Sequence, residues 1–244
     1  MTGASPSPQP SPPSKLGGEG ENHRRIRSFV LRQGRFTPAQ QRAFAEHWSR
    51  YGLEPDESSP DWCKHFGRAA PLVLEIGFGN GEQLLASAQN EPGKNFVGIE
   101  VHKPGVGRLM NALASHNVHN VRLYNHDAVD VLDRLFGTDS LDEVHIYFPD
   151  PWPKKRQQKR RLIQPAFVAL VASRVKRGGM FRLATDWEEY AVHMLATIDA
   201  EPSWRNTAGG GNFADRSPDR IETHFEKRGA RLGHGTWDLV YERV

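Results

Sequence analysis

From Pro71 onward, short apolar runs alternate with segments whose apolar residues recur at helical spacing, and the first run ends in a glycine cluster. The runs 72–76, 95–101, 121–125, 143–148 and 180–184 read as buried strands. Between them, 82–89, 104–116, 128–136 and 162–177 read as helices. This alternation predicts an α/β fold, a mostly parallel sheet with helices on both faces. A further helix is expected over about 187–200, then a Gly-rich stretch near Gly209 to Gly211 and a last strand over Trp237–Arg243.

Upstream the composition changes. Residues 1–22 hold Pro, Ser and Gly with almost nothing to bury, and are expected to be disordered. Residues 23–70 form a second unit, a basic arm and a helix packed on the core domain, which spans 71–244. In the arm, Arg24, Arg25, Arg27, Arg32 and Arg35 interleave with Ile26, Phe29, Val30, Leu31 and Phe36. Thr37-Pro38 reads as an N-cap followed by Pro at the first helical position. With 37% apolar residues in 244, one sizeable core is available. No apolar run nears the roughly 18 residues that span a bilayer, and no signal-peptide core is seen at the start. Cys63 is the sole cysteine, which leaves no disulfide pair and no Cys-rich zinc site. Together these predict a cytoplasmic location and no membrane partner.

The glycine cluster is Gly77-Phe78-Gly79-Asn80-Gly81, with Glu75 two residues ahead. Dinucleotide sites space their glycines GxGxxG; here the spacing is GxGxG. An acid on the strand before the loop suits a ligand bearing an ammonium group and suits a pyrophosphate badly. Glu100 ends the second strand, where a carboxylate can accept ribose hydroxyls. Asp127 follows the third, where a carboxylate can accept the exocyclic amine of adenine. The three acids at successive strand ends point to a nucleoside with an amino-acid end.

The fourth strand leads into Pro149-Asp150-Pro151-Trp152-Pro153-Lys154. Three prolines stiffen the segment, which predicts that Asp150 and Trp152 are held rigidly at the catalytic edge. Directly after come Lys154, Lys155, Arg156, Lys159, Arg160 and Arg161. The net charge of +3 is modest, so the position of this run matters more than the total. Beside a reaction centre it predicts a path for phosphates. Thr185-Asp186-Trp187 follows the fifth strand at the same edge.

These segments, with Thr223-His224-Phe225-Glu226-Lys227-Arg228-Gly229, resemble the bacterial tRNA (guanine-N7)-methyltransferase family over roughly residues 25–244. The resemblance implies a Rossmann-like class I methyltransferase fold with a seven-stranded sheet, S-adenosylmethionine as methyl donor, and tRNA as partner, methylated at N7 of a variable-loop guanine. It implies that Glu75, Gly77, Gly79, Gly81, Glu100, Asp127 and Asp150 bind the cofactor, with Asp150 also catalytic. Lys154, Asp186, Thr223, His224, Phe225 and Glu226 would hold the substrate, and Lys155, Arg156, Lys159, Arg160 and Arg161 would touch RNA. His224 stands where the family pattern has Lys, and Gln157-Gln158 where it commonly has His-His. A monomer or weak homodimer is expected.

Three rival readings stay open in the sequence. An amino-group methyltransferase carries an Asp-Pro-Pro-Tyr type motif where Asp150-Pro151-Trp152 stands. An NAD-dependent dehydrogenase is disfavoured by the glycine spacing and Glu75. A non-catalytic RNA-binding protein leaves the three acids unexplained. No metal is expected: His116 and His119 lack a third ligand at a recognisable spacing, as does Cys63 near His65.

Overall fold

The computed structural model describes residues 26–30, 37–55, 60–221 and 235–244. The tail 1–22 and the four residues Thr223, His224, Phe225 and Glu226 lie outside them. Among the described residues one sheet is built from β1 (Gly52–Leu53), β2 (Leu72–Ile76), β3 (Asn95–Ile99), β4 (Val121–Tyr124), β5 (Leu141–Tyr147), β6 (Val175–Thr185), β7 (Trp204–Asn206) and β8 (Trp237–Arg243). The helices are α1 (Pro38–Tyr51), α2 (Trp62–Phe66), α3 (Glu82–Asn90), α4 (Lys103–Ser115), α5 (Ala128–Leu135), α6 (Pro165–Arg174) and α7 (Glu188–Asp199).

The strand order is β1-β4-β3-β2-β5-β6-β8-β7. Pairs from β1 through β6 are parallel, and β8 pairs antiparallel with both β6 and β7. The order from β4 to β6 is that of a doubly wound sheet, with the direction of winding reversing between β2 and β5. Seven of the strands match the expected number; the two-residue β1 is an added edge that α1 delivers to β4.

Both faces are covered because side chains alternate across a strand. Leu72, Leu74 and Ile76 of β2 join the apolar cluster of α5, α6 and α7, whereas Val73 joins that of α1, α3 and α4. All five residues of β2 and all five of β3 are buried, which is why these strands read as unbroken apolar runs. Helix α1 opens with the expected Thr37 cap, and Gln40 completes a capping box. It seats on α4 through Gln40 Nε2, which donates to the Pro104 carbonyl at 3.2 Å. The buried Tyr51 hydroxyl donates to the Val118 carbonyl at 3.0 Å.

The helix expected over 162–177 is shorter. Pro165 occupies the first turn of α6, where its missing N–H costs nothing. At the other end Val175 already pairs with Leu141 of β5, so strand pairing takes it from the helix. β7 is not legible in the sequence because three residues carry no period.

Gly77, Gly79 and Gly81 have φ of 74°, 57° and 79°, so each adopts the left-handed conformation that side chains disfavour. Gly105 of α4 packs against this loop so closely that a Cβ there would stand 2.1 Å from the Gly79 carbonyl oxygen. Ala gains about 1 kcal/mol over Gly in a helix, but overpacking against fixed backbone costs about 1–3 kcal/mol. Gly105→Ala is therefore expected to lower Tm in a thermal melt. An equal or higher Tm would show that α4 can move away from the loop.

Candidate active site

Doubly wound sheets bind ligands beyond the carboxyl ends of the strands where the winding reverses. A cavity of about 770 Å³ lies there. One wall is Glu75 and the glycine loop, a second is Glu100 and His102 after β3, and a third is the loop from Phe148 to Pro153 after β5. Ser28, Phe29 and Val30 of the N-terminal arm close part of the rim.

Glu75 is 3% exposed, and its Oε2 has no hydrogen-bond partner. Burial pushes its carboxyl up to about 8. An unsatisfied buried acceptor is costly, and one that lines a cavity is complementary to a ligand donor, above all to a cation. Glu100 is used differently. Its Oε2 accepts the Gly79 N–H at 2.8 Å and its Oε1 accepts the His102 N–H at 2.8 Å. Burial raises its carboxyl and these N–H donors hold it down in part. It thus ties the glycine loop to the end of β3, and its carboxylate, with about four acceptor sites, keeps capacity for a ligand. Asp127 caps α5, its Oδ1 accepting the Val129 N–H at 3.0 Å. Its neighbours His126 and Ala128 line the cavity, while Asp127 itself does not.

In the third wall, Phe148 and Trp152 have φ of 53° and 44°, a conformation that costs a non-glycine residue about 1–3 kcal/mol. Surrounding contacts hold both. The Phe148 N–H donates to the Ala184 carbonyl at 2.8 Å, and the Arg220 guanidinium lies 5.5 Å from its ring centroid. Arg220 is 3% exposed and forks onto Asp238 with two bonds of 2.8 Å. The Trp152 indole N–H donates to the Ser28 carbonyl at 3.0 Å. Arg160 covers one face of that indole at 4.4 Å. Asp150, exposed, stands between these two anchored aromatics in the cavity wall.

The basic run divides into two sets. It forms a 3-10 helix over Lys155–Arg160 with Lys154 as its N-cap. Lys154, Lys155, Arg156 and Lys159 are exposed. Arg160 and Arg161, expected to touch RNA, turn inward instead. Arg160 donates to the carbonyls of Arg27 at 3.2 Å and Phe29 at 3.1 Å. Arg161 is 4% exposed, donates to the Pro151 carbonyl at 2.9 Å and to Glu189 at 3.2 Å, and lies over the Tyr190 ring. Burial of its guanidinium leaves no surface for a phosphate.

Asp186 follows β6, half-buried and outside the cavity lining. Gln83, a cavity residue the sequence does not single out, accepts the Ile221 N–H at 2.8 Å and donates to the Asp219 carbonyl at 3.1 Å. Tyr147 is a second such residue; burial and the nearby Glu75 charge raise its phenol far above the usual range, so it stays protonated. The strand period puts it on the face shared with Glu143 and His145, whereas nothing in the sequence links Gln83 to residues 219–221. Among the described residues no group of three or more His, Cys, Asp or Glu is placed to hold a metal. No described helix is long and apolar enough to cross a membrane.

Ligand-free stability depends on pH through Glu75. The folded state keeps a proton that the unfolded chain gives up near 4.5, so stability falls as pH rises from there through about 8. Glu75→Gln removes that charge. Its Tm is expected to exceed that of the wild type at about pH 9 and to converge with it below about pH 4, where the wild-type group is neutral in the folded and the unfolded chain alike. An offset independent of pH would assign the effect to packing.

A family model, Methyltransf_4, described as "Putative methyltransferase", matches residues 69–239. The protein named tRNA (guanine-N(7)-)-methyltransferase from Xanthomonas campestris pv. campestris (strain 8004) is 55% identical over 223 residues, covering 91% of this chain and 85% of the relative. That of Stenotrophomonas maltophilia (strain K279a) is 53% identical, covering 92% of each chain. Among solved structures, the 16S rRNA methyltransferase KamB superposes with a TM-score of 0.54 at 16% identity, covering 77% of this chain and 96% of that one. A point mutant of the 16S rRNA (adenine(1408)-N(1))-methyltransferase from Catenulisporales acidiphilia superposes at 0.51 with 14% identity, covering 79% and 92%. At such identities the likeness is one of fold, the Rossmann-like class I methyltransferase sheet expected from the sequence. With the family model matching residues 69–239 and relatives more than 50% identical over about nine-tenths of the chain, the protein belongs to the tRNA (guanine-N(7)-)-methyltransferase family.

Proposed function

We propose that this enzyme transfers the methyl group of S-adenosylmethionine to N7 of a guanine in the variable loop of tRNA. The observation that carries the reading is the buried Glu75 carboxylate, one oxygen unpartnered, in the same cavity as Asp150. S-adenosylmethionine fits those acceptors: its ammonium would donate to Glu75 and its ribose hydroxyls to Glu100, and its adenine would meet the turn around Asp127. It supplies an electrophilic methyl group on a sulfonium. The protein's part is to hold the acceptor in line with it, an effect that reaches about 7–11 kcal/mol in well-oriented systems.

Guanine N7 carries an in-plane lone pair and no proton, so transfer to it requires no general base. The purine becomes cationic as the bond forms. The exposed Asp150 carboxylate would accept hydrogen bonds from the guanine N–H edge and offset that charge. Trp152, with one face under Arg160, serves to fix the loop. N7 is hidden in the deep major groove of A-form RNA, which favours a guanine in a loop. Lys154, the residue after the cavity-lining Pro153, would hold the substrate together with Asp186, Thr223, His224, Phe225 and Glu226. Lys155, Arg156 and Lys159 present the exposed charge for the RNA backbone.

The direct test is methyl transfer from labelled S-adenosylmethionine to unmodified tRNA, followed by borohydride reduction and aniline cleavage. Strand scission at a variable-loop guanine is expected. Incorporation without scission would move the reaction to an amino group, and no incorporation would overturn the reading. A second expectation concerns salt. Replacing Lys155, Arg156 and Lys159 with Gln should flatten the log–log dependence of tRNA affinity on salt by about 0.7–0.9 per lost contact. Cofactor affinity should not change; an unchanged slope would take this helix off the RNA path.

A further inference from the structure

We propose that Arg161 is a positioning residue that holds the Asp150 loop in its reactive shape, with Arg220 acting at the other end of the same loop. The inference rests on the reading of Asp150 as the group that meets the guanine.

The loop carries two residues in the left-handed region, Phe148 and Trp152, on either side of Asp150. Neither is glycine, so the conformation persists only where the surroundings over-determine it. Proline at 149, 151 and 153 fixes φ at those positions but removes three N–H donors. Carbonyls and aromatic rings of the loop therefore carry a larger share of what holds it.

Arg161 donates to one of those carbonyls. Its Nε reaches the Pro151 carbonyl at 2.9 Å, on the residue directly after Asp150. Its Nη2 reaches Glu189 of α7 at 3.2 Å, and its guanidinium rests over the Tyr190 ring at 4.9 Å. One planar fork thus links the loop to a helix packed in the core, a geometry that a single ammonium does not reproduce. At the far end, Arg220 spends its fork on Asp238 of β8 and sets its plane near the Phe148 ring. The loop is braced from α7 on one side and from β8 on the other, with Asp150 between.

Arg161→Met is a suitable probe because its partner Glu189 is 57% exposed and is not left as a buried lone charge. The methionine stem also refills the space over Tyr190. Expected in Arg161→Met is a fall of about 10- to 100-fold in the single-turnover methyl-transfer rate at saturating tRNA and cofactor. The tRNA dissociation constant, its salt slope and the cofactor affinity should stay at the wild-type values. Hydrogen exchange at the amides of Phe148, Asp150 and Trp152 should quicken in the protein alone. A wild-type rate would overturn the proposal, as would a weaker tRNA affinity with a flatter salt slope and an intact rate, the pattern of a phosphate contact. Should the Met variant not fold, Arg161→Lys keeps the charge but not the fork: the same pattern in smaller measure supports the proposal, and a wild-type rate overturns it. The two readings fail separately. The product made by the wild-type enzyme decides the reaction, and exchange in the loop decides the brace whatever the reaction is.

Discussion

At β2 the chain reverses the direction in which its crossovers are laid down, so the helices that follow β2 and β5 leave in opposite directions. No crossover can close the gap between the carboxyl ends of those two strands. Everything functional is arranged around that gap. The glycine loop leaves β2 into it, Glu100 pins that loop from β3, and the Pro-rich loop enters from β5. The Gly105 backbone approaches the Gly79 carbonyl because α4 must pack on the sheet while leaving the loop in its left-handed shape. The cavity is thus a consequence of topology first and of side chains second.

Into the floor of this gap the fold places a carboxylate that it does not satisfy. Glu75 is buried on a strand whose other side chains are apolar, and its raised pKa measures how poorly the site by itself solvates its charge. A ligand cation relieves that penalty, so the same residue lowers the stability of the free protein and raises the gain on binding. Glu143, on the neighbouring strand, shows the contrast. It is also largely buried, but His145, Lys94 and Arg182 bond to it and hold its carboxyl far below the usual range. One acid is finished by the protein, and the other is left for a ligand.

The loop at Asp150 follows the same logic with backbone strain in place of charge. Left-handed Phe148 and Trp152 aim the loop, and arginines bracing it from three directions keep it aimed. Two of those arginines come from a basic stretch whose remaining exposed members face outward. A run that looks uniform in charge is therefore split by burial into a structural half and a half that can meet a polyanion.

How much was legible depends on the range of the interaction. The strands of the parallel core announced themselves because they are buried on both faces, and the three loop glycines because glycine adopts their φ without strain. The cap at Thr37, the acid ahead of the glycine loop and the rigid Asp150 segment are likewise local, and can be read from the order of residues alone. That order did not determine that α6 ends at Arg174, because Val175 suits helix and strand alike until Leu141 is placed beside it. Nor did it separate Arg161 from Lys159, or join Gln83 to Ile221 and Arg220 to Asp238. Charge, apolarity and φ preference are written residue by residue, whereas burial and partnership arise only when distant segments share a surface. Which acid is left unsatisfied, and which arginines hold the loop that Asp150 needs, is settled when the folded segments meet.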